Sequence, residues 1–357
     1  MDLLIITPLY FGDGSGASVY YQRLTTLLSD NGLKIGIISD QESGLYDGIY
    51  FSLFPKRAGQ ARSPFKDYLS YALQNISYLR LEKLIKTTLP KNIIVHSSFY
   101  NFPGFFPAIM KRLMRKYPRV RFILDVRDHL VPNRRVKYFA DYYSVIACSE
   151  NIINYLVGAG LTESKLSYIP VIQEHLDCDD ELAQQIGEKY NLGDARYILY
   201  AGLIKEEKRV DVLLEVFDRY IRPVMPDVKL VLIGLLKSTS GRLKALLNGE
   251  DVLYLGSLSR IDVIGLMANA TMCVNLSQIE SFSRSSLEAI ALGKPVILPP
   301  NIPEFTECCA DFVVSANEPE IIAKHMITIF ESGQIPAYPI SRHYPEQVIC
   351  QYMRLLS

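Results

Sequence analysis

Short unbroken apolar runs recur along the first half of the chain. They are "LLIITPL" (3–9), "KIGIISD" (34–40), "NIIVHSS" (92–98), "RFILDVRD" (121–128) and "YYSVIACSE" (142–150). Runs of this length read as buried strands, and the stretches between several of them carry apolar residues at helical spacing. The first such stretch, "GASVYYQRLTTLLSDNG", puts Val19, Leu24, Leu27 and Leu28 on one face and stops at Asn31-Gly32. Further helices are predicted around 105–116 and at 151–159. Between about 170 and 195 the pattern weakens into the polar, acidic "QEHLDCDDELAQQ", and a domain boundary is placed there. A second series follows: "YILYAGL" (197–203), a helix from about 210 to 220, "VKLVLIG" (228–234), "DVLYLGSL" (251–258), a helix at 260–268, "TMCVNLS" (271–277), another helix and "PVILPP". The closing segment, "PEQVICQYMRLL", is amphipathic through Val348, Ile349, Tyr352, Met353 and Leu356. Strands alternating with helices predict two parallel-sheet α/β domains. Their bounds are read as 1–175 and 176–340, with a terminal helix in 341–357 that packs back on the first domain.

Composition narrows the function. The chain has 357 residues, with 38 Lys and Arg balancing 38 Asp and Glu. A nucleic-acid-binding chain is normally basic, so that class is set aside. No apolar run reaches the ~20 residues of a membrane span, and "MDLLIITPLYF" starts acidic and reads as a strand rather than a signal peptide. The six cysteines show no CxxC spacing and read as reduced thiols, so no metal is expected.

The chemistry concentrates in "SQIESFSRSSLEAIALGKPVIL" (277–298). The strand ahead of it ends near Ser277, so Glu280 falls in the loop at the carboxyl edge of the sheet, where open parallel sheets bind ligands. Ser283 or a neighbour caps the following helix, and Ser285 with Glu288 fits a capping box. Gly293 ends the helix and Lys294-Pro295 prevents its continuation. Two readings stay open on the residues alone. Glu280 is a loop residue and Glu288 a capping partner, or both carboxylates accept hydrogen bonds from neighbouring ligand hydroxyls, with the helix N-terminus favouring an anion beside them.

"IESFSRSSLEAIALGKPVI" resembles the Glu-x7-Glu signature of retaining glycosyltransferases of family 4. The resemblance continues in "YAGLIKEEKRVDVLLEVF" (200–217), in "VKLVLIG", in the first loop and helix "TPLYFGDGSGASVYYQRLTTLLSDNG", and in "ILDVRD". It implies the GT-B fold, two Rossmann-like domains facing across a cleft. The first would bind the acceptor and the second a nucleotide-sugar donor such as a UDP- or GDP-sugar, with no further cofactor. On that basis Glu280 would bond hydroxyls of the donor sugar, beside the backbone N–H groups of Ser281, Phe282 and Ser283. Glu288 would accept from the ribose. Lys208 would offset the diphosphate charge, with Lys205 or Arg209 as its partner. Gly14, Ser15 and Gly16 would let the backbone approach phosphate or acceptor, and Arg127 and Asp128 would line the first domain's share of the cleft. Departures are visible too: Gly202-Leu203 stands where the family has Gly-Arg, and "LLKSTS" replaces a glycine-rich turn.

Other residues carry alternatives. His96 and His129 suit either a ligand contact or a structural role. "KRLMRKYPRVR" (111–121), with six cations, suits either a solvated face or an anionic lipid surface. Arg134, Arg135 and Lys137 suit a phosphorylated or lipid-linked acceptor. The resulting expectation is a cytoplasmic enzyme of polysaccharide or glycolipid assembly, at the inner face of a membrane. A silent nucleotide-sugar-binding subunit and an NAD-dependent oxidoreductase are the competing readings. For the latter, Gly12, Gly14 and Gly16 give GxGxG rather than the dinucleotide GxGxxG.

Overall fold

The computed structural model describes residues 1–7, 16–39, 49–52, 79, 81–100, 106–129, 131–176, 178–238, 240–315 and 317–357. They form two compact units, Met1–Ile172 together with Pro345–Ser357, and Gln173–Tyr344. The sequence reading put these divisions at 175/176 and 340/341. The turn Ile340–His343 stays with the second unit because His343 is fully buried there. Its Nε2 meets the Tyr338 hydroxyl at 2.8 Å, and its ring lies 5.0 Å from that of Phe282.

Among the described residues the first unit holds a seven-stranded parallel sheet. Its strands are β1 (Leu3–Ile6), β2 (Ile35–Ser39), β3 (Ile49–Ser52), β4 (Asn92–His96), β5 (Arg121–Val126), β6 (Ser144–Ala147) and β7 (Leu166–Tyr168), in the order β3-β2-β1-β4-β5-β6-β7. The order reverses between β1 and β4, the switch point of a doubly wound sheet. β3 and β7, edge strands of four and three residues, escaped the sequence reading. The helix Gly16–Asp30 and the terminal helix Pro345–Leu356 share one core with the sheet, in which Tyr20, Leu24 and Leu28 join Val348, Tyr352 and Leu356. Met353, expected on the apolar face, is 38 % exposed instead. Asn92 Nδ2 donates to the Leu356 carbonyl at 2.9 Å and ties the helix end to β4.

The second unit repeats the plan with β8 (Arg196–Ala201), β9 (Val228–Ile233), β10 (Val252–Tyr254), β11 (Met272–Val274) and β12 (Val296–Ile297), ordered β10-β9-β8-β11-β12 and parallel throughout. Its switch point lies between β8 and β11. Strand-like sequence runs on past each strand: residues 202–203 and 275–277 are already in loops at the carboxyl edge. The weakly patterned stretch before β8 contains the helix Asp180–Lys189, started by the Asp179 carboxylate accepting from Leu182 N–H at 2.8 Å. Its buried stripe is short, Ala183 and Ile186, and it packs on the helix Arg260–Asn269 at Gly265, where a Cβ would strike Ile186. So few apolar positions give little periodicity to read. The helix predicted from 210 to 220 is α-helical over Val210–Val216 and then widens into a π-turn, Phe217–Ile221.

Candidate functional site

The switch point of the second sheet brings two loops together. The loop after β8 passes Ile204, which pairs with Leu236 beyond β9, and enters the 3-10 turn Glu206–Lys208. Gly234, at φ 140°, lets these loops close: a Cβ there would overlap the Gly202 carbonyl oxygen. Arg209 then takes a left-handed conformation, φ 54°, and starts the helix Val210–Val216. The loop after β11 is fixed by Asn275, whose Nδ2 donates to Ser283 Oγ at 2.7 Å while its Oδ1 accepts from Ser277 N–H at 2.9 Å. Ser283 caps the helix Arg284–Ala291 by accepting from Ser286 N–H. The cap is therefore Ser283, and Ser285 with Glu288 forms no capping box.

Between these loops Lys208 Nζ donates to Glu280 Oε1 at 2.6 Å, and the two side chains are 18 % and 15 % exposed. Asn301 Nδ2 holds the Glu280 backbone carbonyl at 3.1 Å. The Tyr200 hydroxyl, raised above its usual range by burial and by the Glu280 charge, stays protonated and donates to the Leu203 carbonyl at 2.8 Å. Lys205 lies 3.6 Å from Glu207, and Arg209 is 8 % exposed. Phe282 is buried against the Phe305 ring, so its side chain belongs to the core. Glu288 is buried too. Its Oε1 accepts from Arg260 Nη1 at 2.6 Å. Arg284 stands close to that pair: burial holds its guanidinium below the ordinary value, Glu288 opposing and Arg260 adding to the effect.

Asn275, Asn301, Tyr200, Arg260 and Arg284 were all missed by the sequence reading. Asn275 interrupts the strand-like run "TMCVNLS" just after β11, a polar break that marks a loop. Nothing local links Arg260 to Glu288, 28 residues on.

In the first unit, Gly14 and Ser15 lie outside the described residues, and Gly16 opens the first helix. Arg127, just beyond β5, turns its guanidinium into a buried cluster rather than leaving it open. Its Nε contacts Asp125 Oδ1 at 2.8 Å, Nη2 donates to the hydroxyls of Tyr20 and Tyr352, and the guanidinium carbon lies 3.6 Å from the Tyr20 ring centre. Tyr21 donates to the other Asp125 oxygen at 2.7 Å. His96 is 1 % exposed and hydrogen-bonded to Ser98 at 3.0 Å, and burial lowers it to about 4. Asp128 and His129 are half-buried, with the His129 ring against Tyr155. Of the six cations in 111–121, Lys111 pairs with Asp141, Lys116 with Glu82, and Arg121 lies over the Tyr143 ring. Arg115 and Arg119 are exposed. Arg135 donates to the Tyr100 carbonyl, leaving Arg134 and Lys137 as the exposed cations of 131–139. Among the described residues no cluster of His, Cys, Asp and Glu has a metal-binding arrangement, and no helix is long and apolar enough to cross a membrane.

Comparison with known proteins agrees with the fold of two parallel-sheet domains. Residues 183–344 match the family described as Glycosyl transferases group 1. The O-antigen chain mannosyltransferase B of Escherichia coli is 25 % identical over 294 residues, covering 78 % of this chain and 69 % of that protein. A glycosyltransferase structure from Rickettsia africae superposes with a TM-score of 0.71 at 19 % identity, covering 100 % of this chain and 94 % of that one. HepE of Anabaena, solved with UDP-glucose, gives 0.73 at 14 % identity, with 100 % and 99 % covered. The chain thus has the GT-B fold of two parallel-sheet α/β domains, and nearly all of its second unit matches the Glycosyl transferases group 1 family, which supports a glycosyltransferase activity.

Proposed function

We propose that the protein is a retaining glycosyltransferase of family 4. It moves a sugar from a nucleotide-sugar donor to a hydroxyl of a glycan or lipid-linked acceptor in polysaccharide or glycolipid assembly. The observation that carries this reading is the Lys208–Glu280 pair, set by the two loops that leave the switch-point strands β8 and β11. The carboxylate accepts from donor-sugar hydroxyls, next to backbone N–H groups of Ser281, Phe282 and Ser283. The ammonium faces the diphosphate and stabilises the charge that develops as the anomeric C–O bond opens. Lys205 and Arg209 stand on the same loop as further cations. The acceptor oxygen attacks the face that the diphosphate leaves, and its proton passes to a donor phosphate oxygen. The first unit binds the acceptor, for which the sequence motif offers Gly14, Ser15 and Gly16, and Asp128 after β5, as candidate contacts. The exposed Arg115 and Arg119 contact anionic lipid. The relative acting on O-antigen chains and the neighbour solved with UDP-glucose both favour this chemistry.

A panel of UDP- and GDP-sugars, scored for release of free nucleoside diphosphate with Glu280→Ala as control, tests the reading. Proton NMR of the product anomer tests retention. Leu203, 37 % exposed where a second diphosphate cation would stand, favours a silent binding subunit instead. Donor binding without transfer or slow hydrolysis in the panel would select that alternative.

A further inference from the structure

The second carboxylate of the motif is not free in the folded protein. Glu288 sits in the first turns of the helix Arg284–Ala291 with its side chain 7 % exposed, and Arg260 reaches it from the neighbouring helix. Arg260 itself is 44 % exposed and occupies the first position of its helix. That position is firmly set. Ser259 caps the helix by accepting from Asp262 N–H, its hydroxyl donates to Asp262 Oδ2 at 2.6 Å, and Lys189 grips Asp262 Oδ1 at 2.7 Å. Both helices follow strands of the second sheet, so their N-termini share the carboxyl edge with Lys208 and Glu280. A second cation, Arg284, stands near the same carboxylate. Two cations competing for one carboxylate leave its direction undetermined unless one of them holds it.

We propose that Arg260 is a positioning residue that, by engaging Glu288 Oε1, aims Oε2 at the ribose hydroxyls of the nucleotide. The inference rests on the ribose role given to Glu288 in the proposed function. A charged acceptor aimed at a hydroxyl contributes roughly tenfold to a hundredfold in affinity. Without Arg260 the carboxylate turns toward Arg284 and that contribution goes.

Calorimetric titration of the full-length protein with UDP, GDP and their 2′-deoxy counterparts tests this, with Arg260→Ala, Arg260→Lys, Glu288→Ala and the Arg260→Ala/Glu288→Ala pair. Expected are a tenfold or greater preference for the ribonucleotide in the wild type and its loss in Glu288→Ala. Arg260→Ala should lose it as well, the double variant should lose nothing further, and Arg260→Lys should regain part. A preference lost in Glu288→Ala but kept in Arg260→Ala would overturn the inference alone. So would an Arg260→Ala loss equal for ribo- and deoxynucleotide, since that reports a structural role. If the wild type binds neither diphosphate, or Glu288→Ala keeps the preference, the ribose reading itself falls and this inference falls with it.

Discussion

Replacing Lys208 by Met and Glu280 by Gln, singly and together, separates a site built for a ligand from an ordinary ion pair. With Nζ and Oε1 at 2.6 Å and both side chains under one-fifth exposed, solvent screens the pair weakly. Two unit charges ~4 Å apart attract by about 4 kcal/mol at an effective dielectric of ~20, before desolvation is subtracted. Removing one partner of a fully buried pair costs about 3–5 kcal/mol. The residual exposure here lowers the expectation for Lys208→Met to about 2–3 kcal/mol, because the Glu280 carboxylate is left without its cation. Glu280→Gln keeps the shape and costs less. The double variant removes both charges and should cost under ~1 kcal/mol, which gives a coupling of about 2 kcal/mol. Urea midpoints at constant m-value, read by circular dichroism, measure this. Donor turnover should behave differently: each single variant should fall by about 10²–10³, and the double variant should not recover. Additive stability costs, or Lys208→Met retaining more than a tenth of wild-type turnover, would refute the reasoning.

Three further outcomes follow from the buried structure. Arg127→Met strands the fully buried Asp125 carboxylate and should cost about 3–5 kcal/mol by urea unfolding, much of it regained when Asp125→Asn is added. Burial lowers His96 from 6.5 to about 4, so the unfolded chain takes up this proton more readily than the folded one. Stability from this group is complete above ~6.5 and is lost as pH falls to about 4, by on the order of 3 kcal/mol; His96→Gln should flatten the slope of stability against pH in that window. Gly234→Ala forces a side chain into the Gly202 carbonyl at φ 140° and should cost about 3 kcal/mol or more, seen as a lower melting temperature together with weaker nucleotide binding.

Much of the second unit was legible because its strands are short apolar runs and its helices begin with local signals. Ser283 could be read as a cap candidate since its partner, Ser286 N–H, lies three residues away. The capping-box assignment of Ser285 and Glu288 failed for the opposite reason. Glu288 has a stronger partner in Arg260, which the fold supplies from another helix. Arg127 shows the same limit in the first unit. The family resemblance of "ILDVRD" implied a ligand contact for it, yet Asp125, Tyr20 and Tyr352 absorb its guanidinium. Tyr352 lies 225 residues further along the chain, beyond the reach of any periodicity.

By itself the sequence determined the two strand–helix series, the break between them and the amphipathic closing helix, all of which follow from contacts within a few residues. Only the tertiary structure decided the strand order, the meeting of Lys208 with Glu280, the hold of Arg260 on Glu288 and the inward turn of Arg127. Those depend on which carboxyl ends become neighbours when a parallel sheet reverses its winding, and on which distant charge reaches a buried group first.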